Sequence, residues 1–142
     1  MERIDFIKTG LITAAAPSLI LADIKTIKRS REPMVISTWN HGIDANKEAM
    51  KVLNSNGSAL DAVEEGAKIS ESDPAIQSVG FGGRPDIDGH VTLDACIMDS
   101  KGNAGSVAYL QDIKHLVSVA RKIMEETDHV ILAGNGAKYF AL

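Results

Sequence analysis

Apolar residues recur along the chain at two spacings, one typical of helices and one typical of strands. The helical spacing is clearest in residues 113–126, where apolar side chains return every three or four positions. Short runs rich in β-branched residues, bounded by glycine, asparagine or proline, predict strands. The pattern predicts the order β-α-α-β-β-α-β-α: strand 34–39, helix 43–53, helix 58–70, strand 90–98, strand 105–109, helix 113–126, strand 129–133 and helix 135–142.

Local residues refine this outline. Ser58 and Asp61 have the spacing of a capping box at the start of a helix. Residues 100–103 form a short polar turn between two predicted strands, which predicts a β-hairpin. Residues 75–88 contain three glycines and one proline and are predicted to form a loop. A hairpin with helices before and after it favours a layered α/β architecture over an all-parallel sheet.

The N-terminal residues differ in kind from the rest of the chain. Residues 1–22 are predicted to be a signal peptide, because a short charged segment precedes an apolar run that ends in small residues. Residues 3–8 resemble a degenerate twin-arginine motif with Ile4 at the second arginine position. The run is shorter than the roughly 20 residues that span a bilayer, so no stable membrane span is expected. We expect a periplasmic or secreted protein, with a retained N-terminal arm as the alternative.

Residues 23–32 are predicted to form a charged linker, so the folded domain is expected at 33–142. The chain of 142 residues is long enough for one domain, and 44% hydrophobic with 24% charged residues is typical of a globular protein. The net charge of −4, with scattered lysine and arginine, argues against nucleic acid as a partner. Cys96 is the single cysteine and the four histidines are far apart, so neither an internal disulfide nor a metal site is expected.

The glycine-rich segment 78–86 is the main candidate for chemistry. Gly80, Gly82 and Gly83 remove side chains where the backbone must bend or something must approach closely. The segment is not a phosphate loop, because no Gly-Lys-Ser/Thr ends it. It is not a dinucleotide turn either, because Pro85 stands inside the helix that such a turn would need. A purely structural turn and a ligand-binding loop both remain open.

Three residues near this segment carry weaker signals. Asp94 lies in an apolar strand, so it is expected to be buried and to organise the glycine loop by accepting backbone N–H bonds. Arg84 is either a residue at a pocket mouth or an ordinary surface arginine. Cys96 is expected to be a buried small hydrophobic residue.

Six short motifs follow one another between Pro33 and Leu142: residues 39–40, 57–64, 78–86, 92–99, 105–107 and 118–122. In this order they resemble the motifs of the glycosylasparaginases, also called aspartylglucosaminidases, of the N-terminal-nucleophile hydrolase superfamily. The resemblance covers essentially the whole predicted domain and suggests a bacterial source. It implies an αββα sandwich, of which this chain would form the α-chain part.

The resemblance also implies a reaction. In this family a precursor cuts itself into an α and a β chain, and the new N-terminal threonine of the β chain is the nucleophile. That threonine uses its own α-amino group as the base and attacks the amide joining an asparagine side chain to N-acetylglucosamine. A β-aspartyl ester forms and is then hydrolysed by water, with an oxyanion hole supporting the charge that develops. No cofactor is implied.

The sequence departs from the family pattern at the nucleophile. No His-Asp-Thr occurs in these 142 residues. We therefore expect an α chain or a truncated precursor that is inactive alone and needs its β chain as partner. The resemblance implies a glycosylated asparagine as the small-molecule substrate and a dimer of heterodimers as the assembly.

Two residues of this chain match family positions near the substrate. Trp39 is expected to form a wall of the substrate pocket, with core packing as the alternative. Ser78 is expected to hydrogen-bond the threonine and support its activation, with a loop serine that caps its own backbone as the alternative. Ile76 and Gln77 stand where some relatives have Asp-Gly. Gly80, Gly82, Gly83 and Asp94 are expected to be structural residues of the loop.

Two rival functions remain open at this point. The first is an isoaspartyl peptidase or plant-type asparaginase of the same superfamily, although the glycine loop here has the glycosylasparaginase form. The second is an inactive truncated homologue that acts only as a binding module.

Overall fold

The computed structural model describes residues 32–142 of the chain. The predicted signal peptide, and all but the last residue of the predicted linker, lie outside these described residues. The described part contains four α-helices, a 3-10 turn and a three-stranded sheet. Their bounds are α1 Gly42–Asn54, α2 Ala59–Ser72, the 3-10 turn Gly80–Gly82, β1 Leu93–Met98, β2 Ala104–Leu110, α3 Leu116–Glu126, β3 Ile131–Ala133 and α4 Gly134–Ala141.

The first predicted strand, at residues 34–39, is wrong. Residues 33–38 form an extended segment that pairs with no strand of the described chain. Met34 and Ile36 within it are 78% and 81% exposed. Residues with high strand propensity form a strand only where a partner strand and a packed face exist. In the described chain this segment has neither. The seven later elements are confirmed, with their ends within three residues of the predicted ones.

Helices α1 and α2 pack against each other through small side chains, among which Ala49 and Ala62 are fully buried. The predicted capping box at the start of α2 is confirmed. The Ser58 hydroxyl oxygen accepts a hydrogen bond of 3.0 Å from the Asp61 N–H, and the Asp61 carboxylate accepts one of 3.2 Å from the Ser58 N–H. This exchange satisfies two amide groups that the helix itself cannot pair.

The sheet has the order β1-β2-β3. Strands β1 and β2 form the predicted antiparallel hairpin, and β3 lies parallel to β2. The Asp99 carboxylate closes the hairpin turn by accepting the N–H groups of Lys101 and Asn103 at 2.8 and 2.9 Å. The parallel pairing requires a crossover, and α3 supplies it.

Asp94 departs from its expected role. Its side chain is exposed, and Oδ1 accepts a 2.8 Å hydrogen bond from the backbone N–H of Tyr109 on the neighbouring strand. The register of the hairpin shifts between Leu93 and Ala95, and Tyr109 has a positive φ of 54°. Asp94 therefore stabilises an irregularity in the sheet by satisfying an amide that the shifted ladder leaves available, and it does not bond to the glycine loop.

The core lies between one face of the sheet and a layer of helices. Val107 and Leu110 of β2 pack with Leu116 and Ile123 of α3 and with Ala137 of α4. A neighbouring cluster joins Ile97 of β1 to Val117 and Ala120, with Leu60 and Ala67 of α2 packed against it. The layered α/β character is thus present as helices over a small mixed sheet. Within residues 32–142, no helix is both long and apolar enough to cross a membrane.

The opposite face of the sheet carries exposed apolar residues. Met98 of β1 is 64% exposed and Ile131 of β3 is 57% exposed. Cys96 lies on the same face, paired in register with Ser106, and is exposed. The expectation of a buried Cys96 is therefore wrong. Successive strand residues point to opposite faces of the sheet, and in β1 the face of Ile97, not that of Cys96, meets the helices. This exposed apolar face is hereafter called the open face.

Arg121 of α3 joins helices α2 and α3 through ion pairs. Its Nη1 donates to Asp61 and to Glu64 of α2, at 2.7 Å each, and its Nε donates to Glu125 at 2.8 Å. Two hydrogen bonds to Asp61, from Ser58 first and from Arg121 second, lower the pKa of that carboxyl to about 2. Burial works to raise the pKa of Glu64, but hydrogen bonds from Ser118 and Arg121 outweigh it and leave that pKa lowered.

Glu71 at the end of α2 caps the start of α3. His115, the N-cap residue of α3, makes no side-chain cap hydrogen bond. Glu71 takes over this function: its Oε1 accepts the Val117 N–H at 3.0 Å, and its Oε2 lies 3.4 Å from His115 Nδ1. Glu71 is only 6% exposed. A carboxylate at this position satisfies an unpaired amide and interacts favourably with the helix dipole.

The lowered pKa of Asp61 makes a pH-dependent contribution to stability. A carboxyl whose pKa is lowered on folding adds stability above its unfolded value of about 3.8, and this stability is lost as the pH falls towards the folded value of about 2. The variant Asp61→Asn should therefore lose less stability than the unmodified protein between about pH 4 and pH 2. Urea unfolding at a series of pH values measures this. Asp44→Asn, which alters an exposed ion pair within α1, is the matched control. Parallel curves for Asp61→Asn and the unmodified protein would contradict the assignment.

Candidate active site

An open cleft of about 730 Å³ is lined by residues 39–41, residues 75–78 and Arg84. The first group forms the turn that enters α1, and the second follows α2. The packing of α1 on α2 brings the two groups to the same place, although they are more than 30 positions apart in the sequence. The cleft thus unites Trp39 and Ser78, the two residues singled out from the sequence as neighbours of a substrate.

Trp39 forms an exposed wall of this cleft. Its side chain is 72% exposed, so the alternative of core packing is wrong. Its backbone is nevertheless held, because the Trp39 carbonyl accepts the Gly42 N–H at 3.0 Å and the Asn40 carbonyl accepts the Ile43 N–H at 3.2 Å. The Asn40 side chain also accepts the His41 N–H at 2.9 Å. A large aromatic ring on a fixed turn is typical of ligand recognition rather than of stability.

Ser78 lies exposed in the loop that follows α2. Its hydroxyl makes no hydrogen bond to any residue in the described part of the chain, so it does not cap its own backbone. A serine hydroxyl can donate one hydrogen bond and accept two. The Ser78 hydroxyl is therefore available to a group that enters the cleft.

Arg84 is held at the edge of the cleft by Gln77. The guanidinium Nε and Nη2 both donate to Gln77 Oε1, at 3.1 and 2.8 Å. The Arg84 N–H also donates to the Gln77 carbonyl at 3.2 Å. Arg84 is exposed, but it lines the cleft, which favours the pocket-mouth interpretation over that of an ordinary surface arginine.

The three glycines of the loop make close contacts within this chain. Gly80 has a positive φ of 55°, and a Cβ there would overlap the backbone of Glu71. A Cβ at Gly82 would collide with the carbonyl groups of Pro74 and Ile76, and one at Gly83 would lie 2.8 Å from the Val91 side chain. The Gly83 N–H also donates to the Gly80 carbonyl at 3.0 Å. These glycines therefore allow the loop to fold closely onto the end of α2, just after Ser78.

A second cavity of about 420 Å³ adjoins the cleft, and the two share Trp39 and His41. It lies between the extended segment 36–38, the end of α2 and strand β1. Glu71 lines it, and burial raises the pKa of this carboxyl although hydrogen bonds from Val117 and His115 act in the opposite direction. His41 Nδ1 lies 3.2 Å from Ser70 Oγ nearby. Because Glu71 already caps α3, its geometry supports a structural role.

No threonine of residues 32–142 lies in the cleft beside Ser78. Thr38 lines the second cavity, while Thr127 ends α3 by donating to the Ile123 carbonyl at 2.9 Å. The same described residues contain no group of three His, Cys, Asp or Glu side chains that could hold a metal ion. Within residues 32–142, the cleft therefore brings together the Trp39 ring and the Ser78 hydroxyl, with no threonine beside them.

Two contacts in this site were not predicted from the sequence. The Gln77–Arg84 pair closes a loop of eight residues, and no motif connects an amide to an arginine seven positions later. The cap of α3 by Glu71 joins residues 46 positions apart, so no local capping pattern is visible. A missing cap residue at His115 was the only available signal that a distant group satisfies that helix end.

The glycine loop folded onto the end of α2 thus lies beside an exposed tryptophan and a serine hydroxyl without a partner in the described chain. Comparison with known proteins gives the class of the protein. A family model described as asparaginase matches residues 19–142. The chain therefore belongs to this asparaginase family, and the resemblance to the glycosylasparaginases is confirmed.

Individual relatives fall into two groups. The chain is 54% identical to an N(4)-(β-N-acetylglucosaminyl)-L-asparaginase of Elizabethkingia miricola, in an alignment covering 99% of this chain and 43% of that protein. It is 45% identical to the protein of the same name from Rattus norvegicus, over 78% of this chain and 32% of that protein. A plant-type L-asparaginase of Pyrococcus abyssi is also 45% identical, over 80% of this chain and 36% of that protein. The chain spans less than half the length of these curated relatives.

The contact between Gly80 and Glu71 predicts how the loop responds to substitution. Gly80→Ala should destabilise the protein more than Gly89→Ala, although both residues have a positive φ. Gly89 has open space around it, so alanine there should cost only the backbone strain of about 1–2 kcal/mol. Alanine at Gly80 adds an overlap with the Glu71 backbone. Urea unfolding of both variants measures the difference. Equal losses would mean that the close approach to Glu71 has no energetic weight.

Proposed function

We propose that this chain supplies the α-chain part of a hydrolase that cleaves the amide between N-acetylglucosamine and an asparagine side chain. The observation that carries the proposal is the cleft in which exposed Trp39 and available Ser78 lie together. The similarity to glycosylasparaginases over almost the whole chain supports the choice of substrate. The catalytic nucleophile would be a threonine outside residues 1–142, at the N-terminus of a β chain.

In the proposed reaction, the threonine hydroxyl attacks the amide carbonyl carbon while the threonine α-amino group takes the hydroxyl proton. The carbonyl–nitrogen bond then breaks, and the glycosylamine leaves with a proton. Water hydrolyses the resulting β-aspartyl ester. Ser78 would hydrogen-bond the threonine and orient it, and Trp39 would form one wall for the substrate. No metal or organic cofactor takes part, because nucleophile and base belong to one residue.

The open face suggests how the β chain would assemble with this chain. Cys96, Met98 and Ile131 present an apolar surface on the side of the sheet away from the helices. A sheet with one apolar face uncovered is stabilised by packing a second sheet against it. We propose that strands of the β chain cover this face and complete an αββα sandwich. We also propose that the protein is exported to the periplasm or the medium, and that two such heterodimers pair.

A second candidate is a plant-type asparaginase or isoaspartyl peptidase. The 45% identity to the plant-type L-asparaginase of Pyrococcus abyssi favours it. Both candidates break a β-aspartyl amide, and they differ in the leaving group. A chain that only binds a partner, without activity in any complex, is the remaining alternative.

The enzyme assembled with its β chain should hydrolyse asparagine-linked N-acetylglucosamine with a higher kcat/KM than β-aspartyl dipeptides or free asparagine. Release of the acetylated aminosugar and of aspartate measures turnover. A preference for β-aspartyl dipeptides would favour the second candidate. Absence of turnover on all three substrates, in a complex with a correctly cleaved β chain, would leave only the binding module.

Removal of the Ser78 hydroxyl should slow the chemical step. In the assembled enzyme, Ser78→Ala should lower kcat by about 10- to 100-fold, as expected for one lost hydrogen bond to a reacting group, with little change in KM. The assay should use only enzyme that gel electrophoresis shows to be cleaved into two chains. Ser100→Ala, at the hairpin turn, is the matched control. A change in KM alone would place Ser78 at the substrate and not at the nucleophile.

The 142-residue chain purified without a β chain should not hydrolyse any of these amides, because its cleft contains no threonine nucleophile. A sensitive assay of released aspartate, run beside the assembled enzyme at equal concentration, tests this. Turnover by the chain alone that persists after removal of trace contaminants would contradict the assignment of the nucleophile to another segment.

A further inference from the structure

Two arginines of the described chain are held in contrasting ways. Arg121 lies among three carboxylates, those of Asp61, Glu64 and Glu125, which balance its charge. Arg84 in the cleft is held only by the neutral side-chain amide of Gln77. The first arginine is therefore occupied by the fold, while the second is fixed in position with its charge uncompensated.

The setting of Arg84 suits recognition of a ligand. Residues 39–41 and 75–78, which line the cleft with it, include no aspartate, glutamate or lysine. The bonds to Gln77 use Nε and Nη2, and the Nη1 amino group takes no part in this pair. Since Gln77 already fixes the guanidinium, a ligand that bonds to it loses less side-chain entropy on binding. Arg84 and Ser78 line the same cleft, so the guanidinium and the proposed reaction centre face one ligand-sized space.

We infer that Arg84 is a specificity-determining residue that donates hydrogen bonds to the leaving group of the substrate. This inference rests on the proposed function. The proposed leaving group is an N-acetylglucosamine, which offers an acetamido carbonyl and several hydroxyl oxygens as acceptors. Trp39 on the same cleft offers an aromatic surface to the less polar face of the sugar ring. An aromatic wall and a fixed cation together match a ring that is apolar on one side and rich in oxygen at its rim.

Substrates with different leaving groups test this role in the assembled enzyme. Arg84→Met should lower kcat/KM for asparagine-linked N-acetylglucosamine by roughly 10- to 100-fold, which corresponds to a lost hydrogen bond to a charged donor. The same variant should change kcat/KM for free asparagine by no more than about twofold, because ammonia as a leaving group does not extend to Arg84. Arg84→Lys keeps the charge but not the planar fork. Its kcat/KM for the glycosylated substrate should lie between those of the unmodified enzyme and of Arg84→Met.

Two further variants separate positioning from folding. Gln77→Leu removes the amide that holds the guanidinium. It should reduce the preference for the glycosylated substrate, but by less than Arg84→Met does. Lys101→Met removes a cation at the distant hairpin turn and should leave the ratio of kcat/KM values unchanged. Thermal unfolding of each variant identifies any that lose activity through lost stability.

Three results would overturn the inference. Equal losses on the glycosylated substrate and on asparagine would mean that Arg84 serves the aspartyl part or the fold. A loss confined to a β-aspartyl dipeptide would mean that Arg84 binds a carboxylate in place of a sugar. Unchanged kinetics on all substrates would mean that it binds nothing. These results leave the proposed function standing, whereas an unmodified enzyme that does not act on the glycosylated substrate overturns both.

Discussion

The carboxylate of Glu71 accepts the Val117 N–H at the start of α3, while the backbone of the same residue packs against Gly80. One residue thus joins the end of α2, the first turn of α3 and the glycine loop. Because Glu71 is buried, an unpaired carboxylate there would be costly, and its two bonds fix the distance between the helices. The position of Ser78, two residues before Gly80, depends on this contact, and so does the shape of the cleft.

The ion pairs of Arg121 with Asp61 and Glu64 support the same arrangement nearer the start of α2. Arg121 holds Asp61 and Glu64, in the first and second turns of that helix, against α3. The two helices are therefore attached near both ends of α2, by Arg121 at one end and by Glu71 at the other. The cleft lies at the Glu71 end. Attachment of this end holds the start of the loop that carries Ser78 in place, although Ser78 itself is exposed.

The sequence was sufficient for features that local residues determine. The capping box at Ser58, the hairpin at residues 100–103 and the amphipathic α3 depend on neighbours within a few positions, and all three are confirmed. The lack of a strand at 34–39, the exposure of Cys96 and the partner of Asp94 depend on what packs beside a strand, which a single sequence does not reveal. For the site, Trp39 and Ser78 were found only through resemblance to a family. The support from Glu71 and Gln77 is set by tertiary contacts alone.

The open face has a consequence for the way such a chain is made. An apolar sheet surface that includes Cys96, Met98 and Ile131 attracts other apolar surfaces in water, including those of other copies. A covering segment on the same polypeptide would meet this surface at an effective concentration on the order of millimolar, far above that of a separate protein. Synthesis as one chain followed by a later cut would therefore let correct closure outpace aggregation. Two halves expressed separately would face that competition at every encounter.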